Sequence, residues 1–343
     1  LEPPPPLSPG AVTALGLAVI YGANIGGTGS LVGSPANLYL LFSLEVLDIP
    51  GRSSIHFISW LLFGIPLMAL LLLPAWGLLM AFTPSKALQE LASLVPPRTQ
   101  KRDRGSSLGG VVVLGVTLLA HLILLGVRPF WAPSPLWQVR ILHRFYPIGL
   151  FDLLALGVTL STTAGALTIR GGAKAGPRTR LLSSKNLVGN LPWRGVVMVG
   201  IALAVVSLVA VLGGKDALQF VSQQLSTLGG GAVVMTLSLV LICLFGTEVL
   251  SNTTTATLLF PAAAVMSEGI GIPPLPTVIA LSLASTCAFM TPMATPVNAL
   301  AFGTFKGMRL RTMMAAGALV NLTTGLLITL WAHTVIPWVL RLF

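Results

Sequence analysis

Apolar stretches of about 20 residues recur along this chain, the length a helix needs to cross a hydrocarbon core roughly 30 Å thick. They fall near 11–42, 56–83, 107–128, 147–170, 193–213, 273–305 and 312–340. A backbone in lipid must satisfy its own polar groups, so such segments predict helices. Composition agrees: 8% of the residues are charged, against about a quarter in soluble domains. The pattern predicts an all-α polytopic membrane protein.

The net charge of +11 invites a nucleic-acid reading, but its placement argues against one. Lys86, Arg98, Lys101, Arg102 and Arg104 share one connection between apolar stretches. Arg170, Lys174, Arg178, Arg180, Lys185 and Arg194 cluster around a second, and Lys306, Arg309 and Arg311 in a third. If the spans alternate, all three lie on one side, which the positive-inside rule assigns to the cytoplasm. The opposite side takes Arg52, Arg128, Arg140, Arg144, Lys215 and Arg341, so the C-terminus is expected outside. The expected location is the plasma membrane, with no nucleic-acid partner.

Catalytic signals are missing. Cys243 and Cys287 lie inside apolar segments, and the four histidines are isolated, without metal-ligand spacing. "GGTGS" at Gly26–Ser30 lacks the Gly-Lys-Ser/Thr ending of a phosphate loop. No enzyme, no cofactor and no transition-metal site is expected. "LEPPPPLSPG" reads as an extended lead-in over 1–10.

Polar residues inside apolar surroundings carry the functional signal. "SNTTT" at Ser251–Thr255 separates the run 231–245 from a second run, 256–266, too short to cross comfortably. A re-entrant hairpin over 227–268 accommodates both, with its tip at a cavity near the midplane, because non-helical backbone at that depth must be buried or line a cavity. At such a tip the carbonyl end of one helix attracts a small cation and the N–H end of the next an anion. Asn252 adds an amide, and Ser251, Thr253, Thr254 and Thr255 add hydroxyls.

"GSPAN" (Gly33–Asn37) and "ATPVN" (Ala294–Asn298) share a small residue, a hydroxyl, Pro, a small or apolar residue, and Asn. Each interrupts an apolar segment with proline, which breaks the helical ladder. Corresponding interruptions in two halves point to an inverted-repeat transporter with its site at the repeat interface. A channel built on half-helices is the competing reading, and it lacks a repeated filter or charged ring.

"TEVLSNTTTATLLFPAAAVMSEGIGI", "CAFMTPMATPVNALAFG" and "YGANIGGTGSLVGSPANLYLLF" together resemble the divalent anion/sodium symporters, the sodium-coupled dicarboxylate, citrate and sulfate cotransporters of solute carrier 13 type. The resemblance runs over nearly the whole chain from about Ala11. It implies sodium-coupled transport of such anions by alternating access, with Na+ as coupling ion and a homodimeric assembly. By residue, it implies substrate contacts from Ser34, Ser251, Asn252, Thr253 and Thr295. It implies sodium ligation by Gly33, Thr247, Leu250, Asn252, Ala294 and Pro296. Glu248, beside the tip, reads as a buried paired carboxyl and not as a ligand.

The implied organisation is the remainder of a first repeat over 11–83, a basic connection over 84–106, and a second repeat over 107–343. Symmetry calls for a further hairpin before Gly26 with its own Ser-Asn-Thr motif, and none occurs there. The chain is therefore expected to be N-terminally incomplete. The alternative this raises is a transport-inactive product that associates with full-length transporters.

Overall fold

The computed structural model describes residues 7–93 and 231–343, and between them 112, 115–120, 122–123, 137–141, 144–148, 153–154, 156–158, 160–161, 170–171 and 179–180. The chain divides into two compact units, 1–96 with 194–343, and 97–193.

In the first unit every described element is helical. α1 (Pro9–Gly26) runs through a short 3-10 turn (Gly27–Gly29), and after a break comes α2 (Pro35–Val46). α3 (Phe57–Phe82) follows, then the short polar α4 (Ser85–Ser93). The second stretch holds α5 (Gly231–Gly246), α6 (Asn252–Gly269), α7 (Pro274–Thr286), α8 (Pro296–Thr304), α9 (Leu310–His333) and α10 (Val335–Leu340). Among the described residues, 9–29, 57–82 and 310–340 are long and apolar enough to cross a membrane. The segments at 11–42 and 273–305 are thus both broken helices.

Local chemistry sets the starts. Proline stands at the first position of α1, α2 and α8, where a missing N–H costs nothing. The preceding hydroxyl caps each: Ser8 accepts from Ala11 N–H at 3.3 Å, Ser34 from Ala36 N–H at 3.3 Å and Thr295 from Asn298 N–H at 3.1 Å. Ser251 caps α6 in the same way, accepting from Thr254 N–H at 3.2 Å.

Packing relies on glycine at the breaks, as expected where small residues let backbones approach within a membrane. A Cβ on Gly64 of α3 would lie 2.9 Å from Thr28 O, and one on Gly317 of α9 would lie 2.5 Å from Phe289 O. Each interrupted helix therefore rests its unwound backbone on a glycine of the next long helix. The same relationship in both halves is the repeat that the paired motifs predicted.

The two ends of this unit are distinct. One gathers Gly51, Pro273, Arg341 and their neighbours around a cavity of about 500 Å³, and the other places Gly10, Thr83 and Arg309 together. Arg309 N–H donates to Thr13 Oγ1 at 2.9 Å at that second end.

Several boundaries differ from the sequence reading. The hairpin arms are α5 and α6, and α6 extends beyond its apolar run because Thr253–Thr255 form its first turn. Residues 85–93, placed in a basic connection, form α4, whose Glu90 accepts from Ser8 N–H at 2.8 Å. The long helix near the C-terminus breaks at Thr334.

In the second unit, Trp137–Ile141 pairs antiparallel with Arg144–Ile148, and Arg170–Gly171 with Thr179–Arg180. The span expected at 147–170 therefore starts and ends within strands. Phe145, Tyr146 and Ile148 suit a pleated ribbon as well as a helix, so hydropathy alone misplaced that boundary. The described parts of 107–128 are helical, and the span at 193–213 lies outside the described residues.

Candidate functional site

The two breaks are built alike. Asn37 Nδ2 donates to Gly27 O at 3.1 Å and Ser30 O at 3.0 Å. Asn298 Nδ2 donates to Ala288 O at 3.0 Å and Thr291 O at 2.9 Å. In both, the asparagine reaches carbonyls at the same two sequence separations, and both are fully buried. One side-chain amide thus closes each unwound loop and supplies donors that the broken ladder no longer provides.

Gly33 is confined by the first loop. A Cβ there would lie 2.5 Å from Gly27 O, so only glycine fits. Ser34 is buried as the α2 cap, with its hydroxyl proton not committed to that bond. Thr295, its counterpart, is also buried, and its hydroxyl donates to Asn298 Oδ1 at 2.9 Å. Ala294 is buried and Pro296 exposed beside it.

The hairpin tip lies between α5 and α6. Thr247 Oγ1 is 2.6 Å from Asn252 Oδ1 and 3.2 Å from Ser285 O, which ties the tip to α7. Leu250 and Ser251 are exposed, and Asn252 and Thr253 are half-buried. The structure thus joins Thr247 directly to Asn252, with Leu250, Ser251 and Thr253 on the same turn.

Glu248 joins this tip to the second loop. Its Oε1 accepts from Phe289 N–H at 2.6 Å, Met290 N–H at 2.9 Å and Asn321 Nδ2 at 3.0 Å. Its Oε2 accepts from Thr291 N–H at 2.9 Å, while Thr291 Oγ1 donates back to Glu248 O at 2.6 Å. The side chain is 3% exposed, and no Lys or Arg among the described residues bridges it. Three consecutive backbone N–H groups donate to the carboxyl, as in an anion-binding nest. The buried, paired carboxyl of the sequence reading is correct, and its partners are three backbone amides and the side-chain amide of Asn321.

Sequence reasoning missed Asn24 and Asn321. Asn24 Nδ2 donates to Ala288 O at 2.8 Å and to Asn298 Oδ1 at 2.9 Å. The available signal was an amide standing alone in an apolar span, where polar side chains are costly and usually partnered. Among the described residues no group of His, Cys, Asp and Glu could hold a metal ion.

The arrangement offers carbonyl and amide oxygens at helix C-terminal ends and N–H groups at helix N-terminal ends, joined at unwound turns. Broken-helix membrane transporters build their ion and substrate sites from such an arrangement. The family model for CitMHS, the citrate transporter, matches residues 7–284, and the chain belongs to this family. It is a family of transporters and not of enzymes. The chain is 28% identical over 336 residues to the sodium-dependent dicarboxylate transporter SdcS of Staphylococcus saprophyticus, covering 95% of this chain and 59% of that protein. It is likewise 28% identical over 335 residues to SdcS of Staphylococcus aureus strain bovine RF122, with the same shares. The chain therefore spans about three fifths of the length of these relatives. Both of these relatives are named as transporters, and they lend no support to the transport-inactive alternative.

Proposed function

We propose that this chain carries out sodium-coupled transport of di- or tricarboxylates, succinate- or citrate-like, by alternating access. The observation that carries the reading is the pair of matched broken helices, with the hairpin tip tied to the second by Glu248. Sodium is a small, hard cation that suits carbonyl and amide oxygens. The proposed sodium ligands are the oxygens of Thr247, Leu250, Asn252, Ala294 and Pro296 at the second break, and of Gly33 at the first. Ser34, Ser251, Asn252 and Thr253 supply the donors for substrate carboxylates, and Thr295 joins them when its hydroxyl turns from Asn298 Oδ1. The reading includes a homodimer in the plasma membrane with the C-terminus outside.

The test is uptake of labelled succinate, citrate and sulfate into proteoliposomes, with sodium or choline outside. Sodium-dependent uptake of a carboxylate is expected, and equal uptake in choline overturns the coupling. Asn252→Ala should weaken both apparent sodium and apparent anion affinity, since one side chain serves both. Losing a hydrogen bond to a charged group costs about 1.5–3 kcal/mol. Unchanged sodium affinity with weakened anion affinity would exclude the shared site.

A further inference from the structure

The two broken helices are cross-linked by a pair of reciprocal hydrogen bonds. Asn24, on α1 just before the first loop, donates to Asn298 Oδ1 and Ala288 O of the second loop, at 2.9 and 2.8 Å. Ser282, on α7 before the second loop, donates to Asn37 Oδ1 of the first loop at 3.0 Å. Each residue sits rigidly in the helix leading to its own loop and holds the asparagine that closes the opposite one. Ser282, Asn37 and Asn298 are fully buried, and Asn24 is 6% exposed. Water therefore offers no ready replacement for these bonds, and a buried donor or acceptor left unpaired is costly.

The asparagines have no slack. Both Nδ2 protons of Asn37 and of Asn298 are already committed to carbonyls of their own loops. Each Oδ1 is the only part of the side chain left to face the other half. Any shift of one loop that re-aims its carbonyls moves that asparagine, and with it the acceptor for the opposite helix. The Thr286 side chain also packs close to the first loop: a Cβ on Gly27 would lie 3.1 Å from Thr286 Cγ2.

We propose that Asn24 and Ser282 are positioning residues that couple the two loops, so that a cation held at one raises the affinity of the other. This rests on the sodium-binding reading above and adds a mechanism for cooperativity between its half-sites. Energetic coupling between sites requires a physical link whose state both sites bias, and the crossed clasp provides one.

Asn24→Leu keeps the branched shape and the number of side-chain heavy atoms, and leaves Ala288 O and Asn298 Oδ1 each with one remaining donor. Ser282→Ala removes only a hydroxyl and serves as the milder variant. The measurement is hydrogen exchange of peptides covering 27–33 and 288–295 in the purified full chain, titrated with sodium. α3 and α9 report on whether the fold is intact. In the wild-type chain both loops should reach half-protection at one sodium concentration. In either variant the two midpoints should separate by about fivefold or more, the lower range of measured couplings. Separate midpoints in the wild type, or a single midpoint in both variants, overturn the proposal. If sodium protects neither loop, the sodium reading itself fails, and the clasp is judged on cation-free exchange. Faster exchange in both loops of each variant then supports it, and faster exchange only in the loop that lost its bond overturns it.

Discussion

Glu248 Oε1 lies 2.6 Å from the backbone N–H of Phe289, 41 residues on, and this contact locks the hairpin tip to the unwound stretch of the second broken helix. A break in a membrane helix exposes N–H groups that lipid cannot satisfy. Three consecutive residues of this one, Phe289 to Thr291, find their acceptor on another element, so the break depends on the docked tip.

Removing that carboxylate should therefore unfold the break. Glu248→Ala leaves the N–H groups of Phe289, Met290 and Thr291 without their acceptor, together with Asn321 Nδ2. Each buried group left unpaired costs about 1–3 kcal/mol, so a loss of about 3 kcal/mol or more is expected. Glu248→Gln retains one oxygen and should lose less. Thermal unfolding in detergent measures both, and a Glu248→Ala chain as stable as the wild type would show that the contact is incidental.

Glycine contacts at the breaks give a second, independent check. Gly317→Ala and Gly64→Ala force a methyl against Phe289 O and Thr28 O, and overpacking of this kind costs about 1–3 kcal/mol. Gly77→Ala on α3 meets nothing within 4 Å and should be neutral or stabilising by up to about 1 kcal/mol. Equal melting temperatures across the three variants would refute the close approach.

How much of this was legible beforehand depended on sequence distance. The helix interruptions were readable because proline breaks the ladder locally, whereas the capping of the next helix by Ser34 and Thr295 came only from the structure. The hairpin was readable because five polar residues cannot face lipid. By contrast, Asn24 and Asn298 are 274 residues apart, and nothing local indicates that they bond. Glu248 could be recognised as buried, but its amide partners arise only after the second loop unwinds. The paired strands Trp137–Ile141 and Arg144–Ile148 escaped because aromatic and β-branched residues serve strands and lipid-facing helices alike.

His56 makes the start of α3 sensitive to pH. Its Nδ1 accepts from Ser59 N–H at 3.3 Å, while Ser59 Oγ accepts from His56 N–H at 2.9 Å. Burial holds the imidazole below its ordinary value of 6.5, because it disfavours the charged form. The folded state thus prefers the neutral ring. This contribution is fully present above pH 6.5 and is lost as pH falls through the lower folded value. Protection factors of amides 57–60 should fall on acidification, by about 1 kcal/mol for a lost cap. His56→Asn should keep the cap and abolish the pH dependence, and a wild-type profile flat down to pH 5 would contradict the assignment.

The sidedness of the site follows from which ends of the first unit share a face. Arg341 lines the cavity formed by Gly51 and Pro273, whereas Arg309 lies at the opposite end with Thr83. Glu268 is exposed at the end of α6, four residues before Ile272, which lines the same cavity as Arg341. Its neighbour Ser267 is fully buried and unsuited to labelling. Single cysteines at 268, 341, 306 and 309, on a background lacking Cys243 and Cys287, can be treated with an impermeant thiol reagent on intact cells. The cluster of basic residues around 306–311 predicts that this end faces the cytoplasm. Labelling at 268 and 341 but not at 306 or 309 is expected. Labelling at 306 and 309 alone would invert the orientation while keeping the fold, whereas labelling at 341 without 268 would separate the hairpin from the outer face and remove the basis for a re-entrant tip.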